Sequence, residues 1–235
     1  MLSNEIETEA ENEEHWIAVS DLMSGLMMLF LLIATMYLVI VERKNNEIER
    51  LVVLYEDLRE ELYADLLTEF ASDLHLWGAE LDKELKFRFT NTDILFEEGE
   101  SDLKPGFAEI LADFFPRYMS ILGSVQYRDE IQEVRIEGHT SSSWSLARDS
   151  DDAYMLNMAL SQERTRTTLG YILTLAAVAE DKPWLRERLT ANGLSSSQLI
   201  VGANGEEDAQ RSRRVEFVVV TDAETRLSTI LQEIR

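Results

Sequence analysis

Cysteine is absent from this chain, which rules out a disulfide framework, a thiolate nucleophile and any cysteine-bound metal. Basic residues are few: 22 Lys and Arg stand against 45 Asp and Glu, a formal charge of −23 at pH 7. Phosphate recognition relies on clusters of Lys and Arg, so this balance disfavours nucleic acid and bare lipid headgroups as partners. Histidine occurs 3 times, as His15, His75 and His139, without ligand spacing, and no metal site is expected. His139 precedes Thr140, Ser141, Ser142 and Ser143, but no acid partner or oxyanion hole accompanies it, so the chain is read as a non-enzyme with no catalytic residues. No Lys or Arg comes before the first long apolar run, which therefore lacks the form of a secretory signal peptide.

What is present is that run, Ile17 to Val41, IAVSDLMSGLMMLFLLIATMYLVIV. A bilayer span needs about 20 mostly apolar residues, and Leu22 to Val41 supplies them, interrupted mildly by Ser24, Gly25 and Thr35. A single transmembrane helix is expected over 15–41, behind an acidic tail, residues 1–14, whose lack of periodicity reads as unstructured. Asp21 is the exception inside the span. An ionisable group there costs about 2.5 to 3.5 kcal/mol at the helix centre and less near an end, which marks Asp21 as a proton-carrying candidate. The alternative is an acid that only snorkels or hydrogen-bonds to a neighbouring helix. Asp21, Ser24, Gly25, Met28, Leu32 and Thr35 follow one another at spacings that share a helix face, and such small and polar residues form packing faces in lipid. Arg43 and Lys44 follow the run, and the positive-inside tendency taken alone puts the C-terminal part in the cytoplasm.

From Glu42 to about Leu85 the chain is rich in Glu, Arg and Leu, with no proline and no glycine before Gly78, so a long helical stalk is expected over 42–85. Ile48, Leu51, Tyr55, Leu58 and Leu62, then Leu66, Phe70, Leu74, Trp77 and Leu81, form a heptad seam with a stutter. Its simplest meaning is a coiled coil between two copies of the chain; an amphipathic helix lying on the following domain is the alternative. Some 150 residues, by rough count, remain for one soluble domain. There Phe87–Phe89 and Ile94–Phe96 read as short strands, Leu103–Leu122 as a helix, Val134–Glu137 as a strand and Asp152–Ala179 as a long helix. Pro183 opens a short helix to Leu189, Leu199–Val201 and Arg214–Val220 read as strands, and 223–235 as a helical tail. The order implies an α+β fold with a small α/β sandwich.

Four strings in this domain resemble the OmpA-like peptidoglycan-binding family: LFEEGESDLKP (Leu95 to Pro105), IEGHTSS (Ile136 to Ser142), NMALSQERT (Asn157 to Thr165) and SRRVEF (Ser212 to Phe217). The resemblance covers about 85–220, with the domain placed at 86–222. It implies that Arg164 binds a carboxylate of the wall peptide and that Asn157, Leu160, Thr140 and Ser141 line the same pocket; a structural ion pair is the alternative role for Arg164. A carboxylate suits an arginine, whose planar fork donates twice. Two departures stand out: Ser141 replaces the family's Asp after Gly-His-Thr, and an insertion around SSWSLARD lengthens the next loop. Arg213 and Arg214 read as strand-start and buried-pair residues, and Trp144 as either a contact or a loop anchor.

The whole plan, with the string AVSDLMSGLMMLFLL, resembles the MotB family of stator subunits, and within it most nearly the ZorB subunits of Zorya anti-phage defence. The resemblance implies two copies of the chain inside a ring of a polytopic MotA/ExbB/ZorA-like membrane subunit, a pentamer by analogy. It implies protons as the coupling ion, with no other cofactor, and peptidoglycan as the anchor. It further implies an inner-membrane location with the N-terminus cytoplasmic and the domain periplasmic, against the local Arg43 and Lys44 bias. A flagellar stator subunit and a passive membrane-to-wall tether are the alternatives.

Overall fold

The computed structural model describes residues 2–221 and divides into two compact units, Met1–Leu51 and Val52–Arg235. The helical tail expected over 223–235 lies outside the described residues. Helix α1 is Leu2–Trp77. In the first unit the backbone is helical from Leu2, so the expectation of an unstructured tail over 1–14 is corrected. Glutamate is a good helix former, and negative charge near a helix N-terminus is favoured by the backbone dipole. Val19–Arg50 is long and apolar enough to cross a membrane. Its large apolar side chains are exposed on every side, Leu22 at 74%, Met28 at 74%, Phe30 at 62% and Tyr37 at 66%, as a lipid-facing helix requires. The hydroxyl of Thr35 donates to the carbonyl of Leu32 at 2.9 Å, which satisfies its polar group within the helix.

In the second unit the last turns of α1 pack on the domain that follows. Leu62, Leu66 and Phe70 are fully buried in its core, Trp77 nearly so, and Leu58 and Leu74 pack half-buried beside them. The coiled-coil expectation is therefore corrected over Leu58 to Trp77: that seam is filled by the chain's own domain. The side chains of Leu51 and Tyr55 lie outside the described residues, and Ile48, in the first unit, is half-exposed. Arg117 fixes the packing, donating to Glu69 Oε1 at 2.7 Å and Asp73 Oδ2 at 2.9 Å while lying 4.8 Å over the Phe70 ring. The stalk also ends earlier than 85, because Gly78 turns the chain in the left-handed region, φ +59°.

Strands β1 (Ala79–Leu81) and β2 (Lys86–Phe89) follow, then α2 (Thr92–Leu95), α3 (Pro105–Leu122), β3 (Ile131–His139) and α4 (Ser150–Ile172). A 3-10 turn at Ala176–Val178, α5 (Lys182–Arg188), β4 (Leu189–Gly193), α6 (Ala209–Ser212) and β5 (Arg214–Thr221) complete the described unit. The five strands are ordered β1-β2-β5-β3-β4, with β3 and β4 parallel and the other pairs antiparallel. Helices and sheet form the expected α+β sandwich. Phe87, Phe217 and Ile136 lie in one row across the sheet and meet Phe114 of α3, whose ring centroid is 4.6 Å from Phe87 and 5.2 Å from Phe217.

Several elements differ from the sequence expectation. Ile94 and Leu95 end a helical turn, and Phe96 makes only a single bridge to Leu103. Leu199–Val201 is not a strand; Val201 bridges Glu207 alone. The long helix stops at Ile172, where the Thr174 hydroxyl takes up the Tyr171 carbonyl. Strand β4 was not expected because LTANG lacks an alternating apolar pattern; it exists through its parallel pairing with β3.

Candidate functional site

The site is built where α4 crosses the ends of β3 and β4. Gly138 and Gly193 are paired in register across those strands, and together they form a floor without side chains. A Cβ at Gly138 would stand 2.7 Å from Thr165 Cγ2, and one at Gly193 would stand 2.3 Å from the Gln162 backbone nitrogen. Glycine is thus required for α4 to lie this close. Helix α4 starts on Asp149, whose side chain accepts from the Asp152 amide, with Asp151 and Asp152 favourably placed in the first turn.

The loop leaving β3 is held from three sides. The Thr140 amide donates to Ser195 O at 2.9 Å, and the Ser195 amide donates to Ser161 Oγ on α4 at 3.0 Å. Asn157 is buried and its side-chain amide donates to Ser143 O at 3.3 Å, so it anchors the lengthened loop. The Ser142 amide and hydroxyl both donate to Glu207. Thr140 and Ser141 are buried; Ser141 Oγ is 3.4 Å from Ser143 Oγ, and Thr140 Oγ1 has no hydrogen-bond partner among the described residues. Trp144 sits in this loop half-buried. The hydroxyls of Ser141, Ser142 and Ser143 are thus engaged away from His139, and neither imidazole nitrogen has a hydrogen-bond partner among the described residues.

Two helical turns along α4 from Asn157, about 10 Å by helix rise, stands Arg164, with half-buried Leu160 between them in sequence. Its Nε donates to Glu100 O at 2.8 Å, its Nη2 to Glu97 O at 3.0 Å, and its guanidinium lies 4.8 Å over the Phe96 ring. The segment 96–100 therefore cradles the cation with neutral carbonyls and an aromatic face. Among the described residues Arg164 forms no ion pair. Burial pushes its pKa down to about 10, and the neighbouring charge of Arg213 pushes the same way, so it remains charged at neutral pH. Arg164, with the like charge of Arg213 near enough to act on it and no ion-pair partner of its own among the described residues, is suited to receive an anion.

Of the residues singled out in the sequence, Thr140, Ser141 and Asn157 gather on the loop side and Arg164 on the side of segment 96–100. Arg214 is in a buried pair, its Nε 2.5 Å from Glu216 Oε1, as expected. Arg213 was not expected beside Arg164; the string SRRVEF contained it, but its neighbour is set by the fold. Asp21, Ser24, Gly25 and Thr35 belong to the first unit, where all four are exposed.

No family model matches the chain. The chain is 43% identical over 234 residues to the Zorya protein ZorB of Escherichia coli (Crooks strain), a likeness covering 99% of both chains. The crystal structure of a MotB-like protein from Desulfovibrio vulgaris superposes with a TM-score of 0.50 at 26% identity, over 71% of this chain and 96% of that one.

Proposed function

The chain belongs to the ZorB family, and from that premise we propose that it is the wall-anchored, proton-conducting subunit of an ion-driven Zorya anti-phage motor. The observation that carries this is the 43% identity running through both units, the apolar helix and the α+β domain alike. Two copies place their Asp21 carboxylates within a ring of a polytopic membrane partner of the MotA/ExbB/ZorA kind. The stripe of Ser24, Gly25 and Thr35 supports this, since small residues admit a close neighbouring helix. Each proton falling through the membrane potential releases about 2.3 kcal/mol per 100 mV. Alternate neutralisation and ionisation of the two carboxylates then shifts which ring subunit each prefers, and the ring turns.

The domain holds this axle by binding peptidoglycan, with the Arg164 cradle taking a carboxylate of the wall peptide. The N-terminus is cytoplasmic and the domain periplasmic, because a wall ligand lies only on that side. The local bias of Arg43 and Lys44 is the price of this orientation. Ser141 in place of the family's Asp leaves the pocket without its usual acid, so recognition of the wall peptide's ammonium rests on other groups than in most relatives.

A phage-plating assay with Asp21→Asn tests the proposal. At normal expression, the variant is expected to lose protection entirely; full protection would overturn proton carriage and leave a passive tether.

A further inference from the structure

On the sheet face opposite the helices, Glu137 of β3 and Glu216 of β5 are directly opposed in register, and His139 follows Glu137 on the same face. Like charges opposed on neighbouring strands repel, and a cation between them relieves this. Arg88 and Arg214 do so for only one oxygen: both donate Nε to Glu216 Oε1, at 2.8 and 2.5 Å. Glu216 Oε2 instead faces His139 Nε2 at 4.0 Å, and Glu137 Oε2 is 3.8 Å from the same nitrogen. The imidazole is fully buried, and neither of its nitrogens has a hydrogen-bond partner among the described residues. A buried polar ring left so is costly unless another atom completes the cluster.

Ligand atoms from the three residues all lie within 4.8 Å of one another. Bonds of about 2.0 to 2.2 Å at tetrahedral angles put ligand atoms about 3.3 to 3.6 Å apart, so each carboxylate would close on the imidazole nitrogen by roughly half an ångström, and the two carboxylates on each other by at most about 1.5 Å, to seat an ion. We propose that Glu137, His139 and Glu216 form a divalent transition-metal site suited to zinc. The imidazole selects against magnesium and calcium, which take oxygen ligands. The local charge permits a dication: Asp82, which accepts from Arg88 at 2.6 Å, joins Glu137 and Glu216 against the two arginines. Glu137 is the least buried of the three ligands, its side chain 13% exposed, and it leaves the fourth position to water. The ion ties the end of β3, from which the Thr140–Ser143 loop departs, to β5. The sequence gives no hint of this, because its ligands come from two strands far apart in the chain.

The test uses the untagged full chain in detergent, stripped with a chelator and titrated with zinc and with cobalt(II) as a spectroscopic probe. One ion per chain is expected, with cobalt showing the visible bands of a four-coordinate site. Glu137→Gln, which disturbs no other ion pair among the described residues, should weaken zinc binding by more than about tenfold, and His139→Gln should do the same. Zinc should raise the Tm of the parent and not that of Glu137→Gln. No retained ion, or equal binding in parent and both variants, overturns the site. A parent that zinc does not stabilise, but that gains stability as pH falls through the imidazole range, overturns it too, with a proton as the occupant.

Discussion

A guanidinium held by carbonyls rather than carboxylates keeps its whole charge for an incoming anion, and Arg164 is held that way by Glu97 and Glu100. Hydrogen bonds to a charged group contribute about 1.5 to 3 kcal/mol, so Arg164→Ala should weaken association with purified sacculi about tenfold to a hundredfold in a co-sedimentation assay. Arg164→Lys should recover only part, because a lysine lacks the fork. Binding by the alanine variant equal to the parent would remove Arg164 from the wall contact. Arg164 was legible in the sequence because its string resembles a known family. What surrounds it was not. Arg213 comes from another strand's start, and Phe96 was taken for a strand residue. Asn157 was legible as a position, yet its burial and its bond to Ser143 depend on an inserted loop whose path no local pattern encodes.

At the scale of elements, the close crossing of α4 over β3 and β4 decides where the site can form. Gly193→Ala puts a methyl group 2.3 Å from a backbone nitrogen, with no flexible side chain to yield. Overpacking of this kind costs about 1 to 3 kcal/mol or more, and urea unfolding should show it as a lower midpoint with the Thr140–Ser143 loop destabilised. Phe70→Ala should cost about 3 to 5 kcal/mol in the same experiment, because the last turns of α1 are part of the domain's core. An unchanged midpoint would mean that those turns detach in solution. The sequence could not distinguish this packing from a coiled coil, since a heptad seam reports that one face is apolar and not what covers it. For the same reason β1 and β4 escaped notice: three and five residues with weak patterns become strands only by pairing with stronger neighbours.

At the scale of the molecule, the division into an apolar helix and a folded domain was legible because each signal is local: a run long enough to span a bilayer, and four motifs in family order. Orientation was not, since the charge flanks oppose the side on which a wall ligand lies. Asp21 carries the central claim. One acid in an otherwise apolar helix is retained against its insertion cost only where it has work or a partner. The most direct measurement reconstitutes the full chain with the membrane partner proposed for it in vesicles and follows internal pH under an imposed potential. The parent complex should pass protons, and Asp21→Asn, assembled to the same extent, should pass none. Equal flux from the two complexes would contradict proton carriage by Asp21.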